Sequence, residues 1–247
     1  MQETCLMSDP TFLAIIPARG GSKRLPKKNV KELNGKPLIT WTIDAALASP
    51  NVSKVVVSTD DNDIAEVSVS SGAEVPFIRP YNLSTDTANT VDVIKHTIDF
   101  YAKNGQFFDF IILLQPTSPL RGSADITNAI ELLKEKSADA IISVCEVEHS
   151  PLWSNTIPLT GSLKSFIKDE VKNIRSQDLA TYYRLNGAIY IVETTKFVEQ
   201  NSLFLNDNIY AYKMNVQNSV DIDNETDFSY AEFLIESQGS KTKNKNV

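Results

Sequence analysis

Short apolar segments alternate with amphipathic segments along most of this 247-residue chain, and this alternation limits the possible folds more than any other feature. Apolar runs at 12–17, 54–58 and 110–114 are rich in β-branched residues and predict buried strands. Each run is followed by a segment with the helical spacing of apolar residues. Strands that alternate with helices indicate an α/β fold, in which helices cover both faces of a doubly wound, mostly parallel sheet.

The same patterns predict the remaining elements. Further strands are expected at 74–78, 140–144, 186–192 and 209–214, and helices at 37–48, 61–71, 87–101, 123–136, 195–200 and 225–235. The polar, irregular region 146–185 predicts a small hairpin-like insertion, which serves either as a cap over a substrate or as a dimerisation arm. We therefore expect a single domain over 11–237, followed by a disordered polar tail at 238–247.

Charge is distributed unevenly along the chain. There are 24 basic and 31 acidic residues, and the net charge of −7 disfavours a general nucleic-acid-binding protein. Seven of the basic residues lie between Arg19 and Lys36, together with a single acid. An acidic protein with one cationic loop is typical of a protein that binds a small, highly charged anion.

The N-terminal region contains no basic start followed by a long apolar run, and its apolar stretch at 12–16 is too short for a signal peptide or a membrane span. Cys5 and Cys145 are far apart and form no paired motif. These features predict a cytoplasmic protein with no membrane partner.

The cationic loop begins where the first predicted strand ends, which is the edge of an open α/β sheet that binds ligands. Gly20 and Gly21 allow the backbone to approach a ligand closely, and Ser22 and Asn29 add neutral donors. The loop has neither the Walker A spacing nor the G-x-G-x-x-G pattern. Its composition favours a polyphosphate ligand, although a solvated basic loop is the alternative.

A pair of acids occurs near the C-terminus. In an extended segment Asp221 and Asp223 project to the same side, and two carboxylates suit Mg²⁺ bound together with substrate phosphates. The alternative is a turn that caps the helix predicted from Glu225. The acid pair and the cationic loop together favour a nucleoside triphosphate with its Mg²⁺.

A third segment, Leu-Leu-Gln-Pro-Thr-Ser-Pro-Leu-Arg at 113–121, follows the most apolar predicted strand. Its two prolines fix the backbone as it leaves the sheet, so that Gln115, Thr117 and Ser118 face the same cleft. A rigid turn whose polar groups satisfy one another is the alternative interpretation.

The loop at 17–29, the segment at 113–121, Asn-Gly-Ala-Ile-Tyr at 186–190 and Ser-Val-Asp-Ile-Asp at 219–223 resemble, in the same order, motifs of the acylneuraminate cytidylyltransferases. The resemblance covers about 12–236. It implies a sheet of the nucleotidyltransferase type, a homodimer formed through the insertion, and dependence on Mg²⁺. It also implies that CTP and a nine-carbon 2-keto sugar acid react to give a CMP-sugar and pyrophosphate.

The resemblance also assigns roles to individual residues. It implies nucleotide contacts from Arg19, Gly20, Gly21, Ser22, Lys23, Lys28, Asn29, Arg79, Asp86 and Thr90. It implies sugar contacts from Gln115, Asn186 and Tyr190, metal ligation by Asp221 and Asp223, and catalytic roles for Lys28, Asn29, Gln115 and Asp221.

Several alternatives stay open at this stage. Arg175 or Arg184, from the insertion, is expected to bind the sugar carboxylate. The sugar is N-acetylneuraminate or a related acid such as legionaminate or pseudaminate, with Kdo ranked lower. Two other classes of protein are a dehydrogenase that uses Asp60 to bind a ribose, which the missing glycine pattern disfavours, and a nucleotide-binding protein without catalysis.

Overall fold

The computed structural model describes residues 9–243, and side chains as far as residue 238. The strands are β1 (Phe12–Pro17), β2 (Glu32–Leu33), β3 (Lys36–Pro37), β4 (Lys54–Ser58), β5 (Phe110–Leu113), β6 (Ala140–Glu146), β7 (Tyr183–Glu193) and β8 (Ile209–Lys213). The helices are α1 (Leu38–Leu47), α2 (Asn62–Ser70), α3 (Thr90–Lys103), α4 (Ser123–Lys136), α5 (Thr194–Gln200) and α6 (Glu225–Lys243).

Six strands form the central sheet in the order β4-β1-β5-β7-β6-β8. β1 is parallel to both β4 and β5, and β6 is parallel to β8. β7 runs antiparallel to its neighbours β5 and β6. The mostly parallel α/β sheet predicted from the sequence is therefore confirmed.

Apolar side chains cover both faces of this sheet. On one face, Ile43 of α1, Ile64 of α2 and Ile130 of α4 join the buried side chains of the strands. On the other face, Ile94 of α3 and Phe197 of α5 complete a second cluster. Helices therefore shield the strands on both sides, as the alternation of strands and helices predicted.

A third, smaller apolar cluster lies below the cationic loop. Leu25 of the loop and Leu33 of the β2–β3 hairpin pack there against Phe228 and Ala231 of α6. Ile222, between the two predicted metal-binding acids, is fully buried in the same cluster. One core therefore supports the cationic loop and the acidic segment together.

The predicted strand at 74–78 is wrong. Only single bridges occur there, from Glu74 to Val56 and from Ile78 to Thr59. Pro76 lies between them and has no N–H group to donate, so a continuous ladder cannot form.

The insertion and the C-terminus differ from expectation in detail. β6 and β7 form an antiparallel base as far as Glu146 and Tyr183, and between them the chain has no strand, only 3₁₀ turns at Pro151–Trp153 and Ser176–Asp178. α6 continues to Lys243, so the predicted disorder from residue 238 is wrong as far as that residue. Residues 244–247 and Cys5 lie outside the described residues.

No helix in the described part of the chain combines the length and the apolar character that crossing a membrane requires.

Candidate active site

A cleft with two adjoining lobes lies beyond the carboxyl ends of β1 and β5. The first lobe has a volume of about 390 Å³ and the second a volume of about 340 Å³. They share walls formed by Pro17, Arg19, Pro116, Thr117 and Asp223. Pro17 is the last residue of β1, so the cleft lies at the sheet edge where open α/β folds bind ligands.

The first lobe is cationic, and its lining includes Ser22, Lys23, Arg24, Lys28 and Asn29. The amide of Asn29, which is 7% exposed, donates to the carbonyl oxygen of Arg19 at 3.0 Å and ties the two ends of the loop together.

Gly20 fixes the entry to this loop. Its N–H donates to Asp60 Oδ1 at 3.1 Å, and a Cβ at this position would lie 2.5 Å from Asp61 Oδ2. Any side chain would therefore force the loop away from α2. Gly21 has open space around it, and nothing in the structure explains its lack of a side chain.

Lys28 joins the cationic loop to the acidic segment. Its Nζ donates to the carbonyl oxygen of Ile222 at 2.6 Å and lies 3.7 Å from Asp223 Oδ1. Burial lowers the pKa of Lys28, and the negative charges of Asp223 and Asp221 act in the opposite direction. Two segments that are 194 residues apart in the sequence therefore meet at this ammonium group.

The acidic segment alternates as predicted, with Ile222 buried in the third cluster and Asp221 and Asp223 lining the cleft. The N–H of Ile222 donates to the carbonyl oxygen of Thr117 at 2.8 Å, which fixes the segment against the third motif. Burial raises the pKa of Asp221, and Asp223 adds to this effect, whereas the hydroxyl of Thr117 and the charge of Lys28 oppose it.

The second lobe brings together Arg79, Thr90, Gln115 and Asp221, and the turn that precedes α3 forms its rim. Arg79 is only 5% exposed, and burial lowers its pKa. Its Nη2 lies 3.5 Å from Asp60 Oδ1, the same oxygen that accepts from Gly20. Asp60 therefore connects the two lobes, a role that the sequence did not reveal.

Asp86 lies on this rim but faces the cations of the neighbouring lobe. Its Oδ1 is 2.9 Å from Arg19 Nη1, and its Oδ2 pairs with Lys23 Nζ. The hydrogen bond from Lys23 lowers the pKa of Asp86, with a further contribution from the charge of Arg19. Asp86 is thus an anion bound by two residues that were predicted to hold phosphates.

The predicted sugar-contacting residues separate into two groups. Gln115 lines the cleft. Tyr190 of β7 is 9% exposed and lines neither lobe, but burial and the charge of nearby Asp221 raise its pKa. Asn186 is 2% exposed, and its amide bonds internally to Ser143, Ala188 and Ser219. Asn186 lines neither lobe of the cleft, so its sugar contact stays a prediction that this geometry does not support.

Neither arginine of the insertion lines the cleft within one chain. Arg175 Nε bonds to Asp178 Oδ2 at 2.8 Å, and Arg184 Nη1 bonds to the carbonyl oxygen of Leu185 at 3.4 Å. Both side chains are engaged locally.

The donor set of the cleft is compatible with Mg²⁺ but not with a metal held by protein ligands alone. No cluster of three or more His, Cys, Asp or Glu side chains suited to a metal occurs in residues 9–238. Asp221 and Asp223 supply two carboxylates, and Mg²⁺ commonly completes such a site with phosphate oxygens and water.

A doubly wound sheet with a cationic loop and an acid pair at its carboxyl edge defines a nucleotidyltransferase-type α/β protein. Solved structures show the same fold. CMP:2-keto-3-deoxy-manno-octonic acid synthetase, complexed with CTP, superposes with a TM-score of 0.68 at 18% identity over 92% of this chain and 99% of that chain.

The sequence profile of the Cytidylyltransferase family matches residues 13–246, and the chain belongs to that family, in its acylneuraminate group. The CMP-N,N'-diacetyllegionaminic acid synthase of Legionella pneumophila is 41% identical over 91% of this chain and 96% of its own length. The N-acylneuraminate cytidylyltransferase of Streptococcus agalactiae serotype V is 38% identical over 87% of this chain, which spans 51% of that longer protein.

Proposed function

We propose that this cytidylyltransferase transfers CMP from CTP to a nine-carbon 2-keto sugar acid, a nonulosonic acid, and releases pyrophosphate. The contact of Lys28 with the acidic segment supports this proposal most directly, because it brings phosphate-binding cations and metal-type carboxylates into one cleft. The anomeric oxygen of the sugar forms a bond to the α-phosphorus of CTP. The bond from that phosphorus to the oxygen bridging to the β-phosphate breaks, and the hydroxyl proton passes to solvent.

The residues of the cleft contribute mainly positioning and charge. Arg19, Lys23 and Lys28 neutralise the triphosphate and the departing pyrophosphate, which lowers the barrier because this charge develops in the transition state. The backbone N–H groups of the loop are further donors to phosphate oxygens. Gln115 and Tyr190 orient the sugar at the end of β5 and in β7, so that its hydroxyl approaches phosphorus in line.

Asp221 and Asp223 would hold Mg²⁺ together with the phosphates. When bound, this ion supplies positive charge to the triphosphate and lowers the pKa of a coordinated hydroxyl. The hydrogen bond between Asp221 and the side chain of Thr117 holds one carboxylate in position for that ligation. Lys28, beside Asp223, keeps the second carboxylate within the cleft.

Two sugars are the leading candidates. The relative at 41% identity is named for N,N'-diacetyllegionaminic acid, and the relative at 38% is named for N-acylneuraminate. Both sugars are nine-carbon 2-keto acids, so the same cleft chemistry serves either one. We propose this pair as the substrate class, with pseudaminate and Kdo as comparison sugars.

We also propose that two chains associate through the insertion. Its apolar side chains are strongly exposed, with Ile157 at 66%, Leu159 at 110% and Leu163 at 62%. A group of exposed apolar side chains is typical of a surface that is buried against a second copy of the chain. Arg175 and Arg184 lie on or beside this region, so association would also restrict their positions.

The direct test is pyrophosphate release from CTP and Mg²⁺ with N-acetylneuraminate, N,N'-diacetyllegionaminate, pseudaminate or Kdo. We expect release with one or both leading sugars and none from CTP alone. The Lys28→Ala variant should lose about 100-fold in rate, as loss of one preorganised charge partner does. Lys27→Ala is the matched control, because Lys27 pairs with Asp63 at 3.0 Å. Failure of every sugar would contradict the proposal.

A further inference from the structure

Gly187 in β7 touches the side chain of Gln115. A Cβ built on Gly187 would lie 2.5 Å from Gln115 Oε1, which is closer than any real contact of that kind. The backbone of Gly187 also has a φ of +74°, a conformation that L side chains rarely adopt. Gln115 therefore occupies space that any other residue at position 187 would fill.

The chain on both sides of Gly187 cannot easily move. Between Ile142 and Val144 of β6 the ladder to β7 shifts, and Asn186 and Ala188 lie in the resulting bulge. Asn186 Oδ1 accepts from the N–H of Ala188 at 3.2 Å and from Ser143 Oγ at 2.6 Å. A buried polar network of this kind holds the backbone in one conformation.

Gln115 is fixed from its own side. Arg121, which is 1% exposed, donates from Nη2 to the carbonyl oxygen of Gln115 at 3.4 Å and from Nε to that of Ala188 at 3.2 Å. Burial lowers the pKa of Arg121 to about 10, so the guanidinium stays charged at neutral pH. One buried cation therefore binds the backbone on both sides of the contact between Gln115 and Gly187.

We propose that Gly187 is a positioning residue that sets the orientation of the Gln115 side chain in the cleft, and thereby the fit of the sugar. This inference rests on the proposed function, in which Gln115 contacts the sugar. Because the backbones of both residues are held, a side chain at position 187 must displace the amide of Gln115. The residues that hold the triphosphate, in the loop between β1 and the β2–β3 hairpin, are not part of this contact.

The test is a double-mutant cycle with Gly187→Ala, Gln115→Ala and both together. We expect Gly187→Ala to lower kcat/KM for the sugar by about 10- to 100-fold, as misplacement by an ångström does. The dissociation constant for CTP with Mg²⁺, measured by calorimetry without sugar, should change by less than about twofold. In the Gln115→Ala background, adding Gly187→Ala should cost no further activity, because the displaced amide is already absent.

Gly105→Ala is the matched control. Gly105 has nearly the same φ, +72°, but nothing lies within 4 Å of a Cβ built on it. The Gly105→Ala variant should lower the midpoint of thermal unfolding, because alanine is strained at this φ. It should leave kcat/KM for the sugar unchanged.

Three outcomes would overturn the inference: activity of Gly187→Ala equal to that of the native chain, multiplicative losses in the double variant, or weaker CTP binding. The absence of pyrophosphate release by the native chain with every sugar would instead refute the proposed function. A crystal structure of Gly187→Ala decides the positioning role independently of catalysis, because an unmoved Gln115 side chain would refute it.

Discussion

Asp86 and a triphosphate carry charge of the same sign and would bind the same two side chains, Arg19 and Lys23. We therefore predict that this carboxylate, which was expected to contact the nucleotide, competes with phosphate oxygens for the two cations. It also holds the two cations near the cleft, where a phosphate could exchange with it. An acidic residue, Asp86, therefore helps to position two cations of the cationic loop.

Replacement of Asp86 by Asn should therefore strengthen CTP binding. The KM for CTP is expected to fall by roughly two- to fivefold at low ionic strength, the range of an exposed ion pair, and the effect should shrink as salt is added. Steady-state kinetics at two salt concentrations measures it. Asp63→Asn, which removes the partner of Lys27 outside the cleft lining, is the control and should leave the KM unchanged. A higher KM for Asp86→Asn would show that the carboxylate positions the cations more than it competes.

The placement of a single residue could be predicted where its charge and its position at a strand end or in an extended segment point to the same cleft. The placement of Lys28 and Asp223 followed from charge at a strand end and from alternation in an extended segment. Asn186 did not, because the bulge in β7 breaks the two-residue period that would indicate which way its side chain points. Asp60 and Arg121 act through distant backbone groups, which no local pattern encodes.

At the scale of elements, the bounds of strands formed by unbroken apolar runs could be predicted from the sequence. β1 and β4 have the predicted bounds, because each is a continuous apolar run bordered by polar residues or proline. The direction of β7 was not predictable, because this central strand is buried on both faces and its continuous apolar run resembles that of a parallel strand. The β2–β3 hairpin was missed although its turn, Asn34-Gly35, has the two positive φ values of a tight hairpin turn.

The starts of β1 and β5 are joined by one carboxylate. Asp109 Oδ2 accepts from the N–H and from Oγ1 of Thr11, both at 2.8 Å, and these bonds lower the pKa of Asp109. A depressed carboxyl pKa contributes stability that is present above the unfolded pKa of about 3.9 and is lost as pH falls through the lower folded value.

Asp109→Asn should therefore lower the free energy of unfolding at pH 7 by about 0.5–1 kcal/mol, a small value because the carboxylate is exposed. The difference from the native chain should close as the pH falls through the lowered pKa of the folded carboxyl, because the native side chain then becomes neutral. Urea unfolding over a pH series measures both effects. Glu66→Gln, at an exposed position of α2, should show no such dependence. A difference that persists at low pH would contradict the assignment.

At the scale of the whole molecule, three apolar clusters stabilise different parts of the fold. The two large clusters hold the sheet, and the third connects Leu25, Ile222 and Phe228 beneath the cleft. The predicted helix at 225–235 was right in place but short, because α6 continues through polar residues to Lys243. Extension from a helix already anchored by packing adds hydrogen bonds without a new nucleation cost.

If two chains associate through the insertion, a charge placed there should separate them. Leu159→Asp combined with Leu163→Asp is expected to shift the molar mass measured by light scattering from dimer to monomer, because a buried unpaired carboxylate is costly. Val69→Asp, which charges an exposed apolar position on α2, should leave the mass unchanged. A native chain that is monomeric at micromolar concentration would contradict the proposed association.

The hydrogen bond from Lys28 to Ile222 limits when the cleft can form during synthesis of the chain. The ribosome synthesises the cationic loop early and the acidic segment 194 residues later. Until Ile222 and its neighbours have left the exit tunnel, the nascent chain carries the cations of the loop without the carboxylates that face them. The cationic and acidic sides of the cleft can therefore meet only after both segments have been synthesised and have left the tunnel.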